Sequence, residues 1–90
     1  MQPDLADLKR VIQQYEAKRV SLDELKATIL ATAERVTEYH RRTLRKLLLE
    51  VEGRLDMIQF TTDSHRVYDT TLPVLDVLKE ALEESEKDSA

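Results

Sequence analysis

Ninety residues with 41% hydrophobic and 36% charged side chains make one domain, and a chain this short buries only about 60 to 65% of its unfolded surface, so its core is small. With no cysteine the chain has neither a disulfide framework nor a thiolate metal site, and with one glycine and two prolines it is not a β-rich or glycine-loop protein. The formal charge of −4 is carried at one end: residues 1–75 hold twelve acids and twelve bases, whereas residues 76–90 hold six acids and two bases.

What remains is Leu, Glu, Lys, Arg and Ala chemistry, which favours helices, so the fold class is all-α. The opening "MQPDLADLKR" lacks an apolar signal core, and no apolar run approaches the ~20 residues of a membrane span. The expectation is a cytoplasmic protein, neither exported nor embedded in a membrane.

A first helix is predicted from Asp4, an N-cap after Pro3, to about Lys18, with Leu5, Leu8, Ile12 and Tyr15 at helical spacing. Ser21 followed by Glu24 fits a capping box and restarts a helix in "VSLDELKATIL". The link around Arg19 and Val20 is then so short that the two helices must form an antiparallel hairpin.

From Leu22 to Phe60 there is no proline, and the positions Leu25, Ile29, Ala33, Val36, His40, Leu44, Leu47, Val51, Leu55 and Ile58 step by three and four. The period is about 3.67 per turn, that of a nearly straight helix. A continuous helix over this stretch would be roughly 58 Å long. Two shapes follow, and the sequence leaves both open. Either the helix is straight and its neighbours cover it end to end, leaving a thin layer that calls for a dimer, or it breaks within "VTEYHRRT" near residue 40 and the chain folds into an antiparallel bundle of three to four helices.

"TTDSH" interrupts the periodicity, and Asp63 and Ser64 offer caps for the last helix. That helix carries Tyr68, Leu72, Leu75, Leu78 and Leu82 and contains Pro73. Because Val67, Tyr68 and Thr71 already continue the stripe, the reading is a helix that starts near Ser64 and accommodates the proline with a kink. The stretch 84–90 reads as a frayed acidic tail.

No residue set amounts to a catalytic constellation, and no cofactor or metal site is expected. His40 has Val36 and Leu44 one turn away and no carboxylate or second histidine on its face, so it reads as a core or bundle-break residue. His65, between Ser64 and Arg66, lacks the convergent geometry of a triad. The basic run "RRTLRK" supplies Arg41, Arg42, Arg45 and Lys46, but Glu38 and Glu50 stand at i,i+4 pairing distance and no aromatics interleave, so an ion-paired surface fits better than nucleic-acid binding.

One feature is left over. Leu49, Gly53, Met57 and Phe60 lie on an arc about 80° wide, nearly opposite the core stripe of the same helix. A mid-helix glycine costs roughly 0.5 to 1 kcal/mol against alanine. Two readings stay open: the first or last helix wraps far enough to bury this strip, the glycine being incidental, or the side-chain-free position lets another helix approach closely and the strip is a candidate partner-binding surface or homodimer seam. A second candidate is the acidic end, Glu80, Glu83, Glu84 and Glu86.

The hairpin "LADLKRVIQQYEAKRVSLDELKATIL" resembles the opening of small helical bacterial immunity proteins of the colicin D type. That resemblance covers under a third of the chain. It implies an antiparallel bundle and a non-enzymatic inhibitor that covers the active site of a toxin, with the acidic end standing in for phosphate against a basic nuclease site. The alternative expectations are a structural or regulatory homodimeric adaptor joined through the Gly53 strip and, third, a DNA-binding regulator.

Overall fold

Four helices form in chain order: α1 (Leu5–Glu16), α2 (Leu22–Arg35), α3 (Arg42–Thr61) and α4 (Val67–Asp88), the last entered through a 3₁₀ turn, Ser64–Arg66. The computed structural model describes residues 5–36 and 42–88, with side chains as far as Glu84. The expected cap at Asp4, the pairing of Glu38 and the placements of His40 and Arg41 lie outside the described residues. No strand occurs among the described residues, and the class is all-α.

α2 begins where Ser21 sits in extended conformation and its Oγ accepts from the Glu24 amide at 3.1 Å. Only this arm of the capping box forms, and the Glu24 side chain is exposed. The helix ends at Arg35. Val36 turns out of it with φ −84° and ψ 86°, its amide shared between the Thr32 and Ala33 carbonyls at 3.1 and 3.2 Å, while its side chain stays in the core. The central stretch is therefore broken, and the compact bundle is the shape adopted. Its longest dimension is 40 Å, shorter than the unbroken helix. The break lets α3 fold back along α2 and close Leu44, Leu48, Val51 and Leu55 into one core with Leu22, Leu25, Ile29 and Ala33. Burying each such leucine stabilises by about 1.5 to 3 kcal/mol, which a straight helix would forgo on half of its stripe.

Each helix packs on its chain neighbours, and α4 returns to α1, so the four close into a ring around the core. The α1–α2 link is sharper than periodicity indicated. α1 stops at Glu16 because Lys18 adopts φ 63°, the left-handed conformation, and the Lys18 and Arg19 amides return to the Tyr15 and Gln14 carbonyls at 2.9 and 2.8 Å. This is the paired bonding of a Schellman ending, usually made with glycine.

The α1–α4 seam is fastened by hydroxyls. Thr71, fully buried, donates to the Tyr68 carbonyl at 2.7 Å. Its one proton being used, its oxygen accepts from the Tyr15 hydroxyl, 2.9 Å away. The Tyr68 hydroxyl in turn donates to the Glu16 carbonyl, one of the groups that the end of α1 leaves without a helical partner. The rings of Tyr15 and Tyr68 stack at 5.6 Å, with the Lys18 ammonium 4.6 Å from the Tyr68 centroid.

Pro73 lies inside α4, as read from the stripe, with the α-helix proper starting at Val67. Asp63 makes no side-chain cap. The turn before α4 is held by the backbone instead, Arg66 N–H to the Asp63 carbonyl at 2.8 Å.

Candidate protein-contact surfaces

α3 puts Leu48 and Leu55 at zero exposure on its inner face, and the same helical period turns another set outward. Leu49 is 45% exposed, Met57 67% and Phe60 77%, so neither α1 nor α4 wraps over the strip. Gly53 is exposed between them, and a Cβ built there meets nothing within 4 Å. No neighbour within this chain requires the glycine. Leu30 on α2 and Val77 on α4 are also exposed.

A polar seam missed in the sequence borders the strip. The Lys26 side chain, only 12% exposed, donates to Asp56 at 2.8 Å and to Gln59 at 2.5 Å, and its ammonium lies 5.6 Å from the Phe60 centroid. Gln59 donates onward to Asp23 at 3.0 Å. Residues thirty or more apart meet here, and no local pattern marks them. The seam ties α2 to α3 with the helices antiparallel.

At the start of α3, Arg42, Arg45 and Lys46 are exposed, and with Thr43 and Leu49 they line an open cavity of about 390 Å³. Arg45 and Lys46 form no ion pair among the described residues, so the expected Lys46–Glu50 pair is not made. The first turn of α3 carries no acid. Cations at a helix N-terminus oppose the macrodipole, so helix formation alone does not account for this cluster.

On α4, Glu80, Glu83 and Glu84 are exposed; the Glu86 side chain lies outside the described residues. The nearby Lys79 is engaged elsewhere, 2.7 Å from Glu16 and 3.4 Å from Asp76. Its hydrogen bond to Glu16 raises its pKa above the ordinary 10.5 against the opposing effect of burial. His65 is exposed in the turn before α4.

Among the described residues there is no group of three or more His, Cys, Asp or Glu arranged to hold a metal ion, and no helix is long and apolar enough to cross a membrane. Comparison with protein-family models, with curated proteins and with solved structures finds no match to this chain.

Proposed function

We propose that this chain is a non-enzymatic protein-binding module of the cytoplasm that acts by protein–protein contact. The carrying observation is the outward strip of α3: Leu49, Met57 and Phe60 stand exposed around an open Gly53 although the core is complete without them. Methionine and aromatic side chains are enriched where proteins meet, so exposed Met57 and Phe60 on one helix face have the chemistry of a contact surface. The Phe60 ring lies 5.6 Å from the Lys26 ammonium and is otherwise 77% exposed, open to a partner.

The inhibitor reading, of the immunity type that the α1–α2 hairpin resembles, is supported by a separate observation. Glu80, Glu83 and Glu84 are exposed on α4, Glu83 lining a small cavity with Lys9 and Lys79, while the Lys79 ammonium is held 2.7 Å from Glu16. Such a face suits a basic partner such as a toxin nuclease. The two surfaces lie on different helices and need not share an occupant.

Native mass spectrometry of the tagged chain recovered gently from its own cells tests the proposal. A mass above that of one chain, lost in a Met57→Ser/Phe60→Ser variant or a Glu83→Lys/Glu84→Lys variant, supports contact through the strip or the acidic face respectively. A single-chain mass throughout removes the proposal.

A further inference from the structure

We infer that the occupant of the α3 strip is a second copy of this chain, docked antiparallel about a two-fold axis at Gly53; this rests on the reading of the strip as a contact surface. The first argument is charge. Because α2 runs antiparallel to α3, the N-terminus of α2 and the C-terminus of α3 share one end of the face, as the Asp23–Gln59 bond shows. That end presents Asp23, Glu24, Asp56 and Asp63, with Lys26 sunk between the helices. The other end presents Arg45 and Lys46, which form no ion pair among the described residues, beside their open cavity. One face thus has an acidic end, a middle where the exposed apolar side chains stand beside one acid and one base, Glu50 and Arg54, and a basic end. Its ends are complementary when a second copy is reversed and alike when it is parallel.

The second argument is register. In an antiparallel pair centred on Gly53, each residue lies level with the one equally far on the other side of the glycine. Leu49 is one turn before it and Met57 one turn after, so Leu49 of either copy meets the level of Met57 of the other and the four side chains fill the corners around the crossing. Lys46 and Phe60 are likewise equidistant from Gly53, which brings Arg45 and Lys46 to the exposed Phe60 ring and to the acidic start of α2 in the second copy. Gly53 then lies where the two backbones approach, which supplies the reason for a side-chain-free position that this chain's own packing does not require. Arg45 and Lys46, near the start of α3, gain carboxylates that the first turn of their own helix does not carry.

Sedimentation equilibrium of the purified chain over a wide concentration range, with variants built at both ends and the middle, tests this. The wild type is expected to form a dimer that dissociates on dilution. Gly53→Leu, at an exposed position where an added Cβ meets nothing within 4 Å, is expected to keep its helix signal and weaken dimerisation at least about tenfold. Arg45→Glu/Lys46→Glu and Glu24→Lys/Asp63→Lys are each expected to be monomeric alone and to form a heterodimer when mixed, because reversal at one end of one copy matches reversal at the opposite end of the other. A wild type that stays monomeric at every concentration overturns the proposal, as does a Gly53→Leu dimer of unchanged affinity or a failure of the two charge variants to complement. A photo-crosslinker at Met57 in cells separates this from the broader reading. A monomer that crosslinks to a different protein removes the second copy and leaves the contact surface standing; a monomer that crosslinks to nothing removes both.

Discussion

The Lys26 ammonium reaches across from α2 to within 2.8 Å of Asp56 on α3, with only 12% of the lysine side chain exposed. An ion pair this sheltered on one side is screened less than a surface pair. Lys26→Met is expected to lower stability by about 1 kcal/mol, with a double-mutant cycle against Asp56→Asn giving a coupling of about 0.5 to 1 kcal/mol. Urea unfolding followed by helix signal measures both.

The Tyr15–Thr71 bond makes an opposite kind of prediction. Thr71→Val strands a buried tyrosine hydroxyl and is expected to cost about 1 to 3 kcal/mol, whereas adding Tyr15→Phe removes the stranded group and should recover part of the loss. A double variant as unstable as the sum of the singles would show that the hydroxyls are not paired.

At Lys18 the backbone conformation decides. With φ at 63°, Lys18→Gly relieves the Cβ and is expected to be neutral or stabilising by up to about 1 kcal/mol, the loss of the ammonium over Tyr68 offsetting part of the gain. Lys18→Val puts a β-branched side chain in the same conformation and should destabilise by about 1 to 2 kcal/mol. Thermal melts of the two variants should move apart.

Gly53→Ala isolates the helix term from the contact term. Measured at a dilution where sedimentation reports a single chain, it is expected to stabilise by about 0.5 to 1 kcal/mol, because the new methyl meets no neighbour. A destabilised monomer would mean that the glycine serves the fold itself.

Lys79 sets an alkaline limit. Its pKa is raised above 10.5 by the Glu16 hydrogen bond, so the stability it contributes is fully present below 10.5 and is lost as pH rises through the higher folded-state value. The stability gap between wild type and Lys79→Met should therefore be flat through neutral pH and narrow only above pH 10.5.

Periodicity was enough to place the helices, because Leu8, Ile12, Leu25, Leu48, Leu55, Leu75 and Leu78 recur at the spacing that buries one face, and all are fully buried. It could not decide the break after Arg35. The stripe continues in register from Ala33 through Val36 to Leu44, and only the gain from folding α3 back, a tertiary quantity, ends the helix there. The strip around Gly53 was legible as a second apolar arc, and the structure adds that nothing in this chain covers it. The Lys26 seam was not legible, since Lys26, Asp56 and Gln59 are ordinary surface residues until two distant helices bring them together.

The ring of helices also orders events in time. Three of its four joints link helices adjacent in the chain and close over short loops, whereas the α1–α4 joint brings together Tyr15 and Thr71, 56 residues apart, and carries the larger loop-closure entropy. In refolding, that joint is expected to form after the hairpins. Because the chain has no tryptophan and places two of its three tyrosines at this joint, stopped-flow tyrosine fluorescence should report the closing of the ring, lagging the recovery of far-ultraviolet circular dichroism.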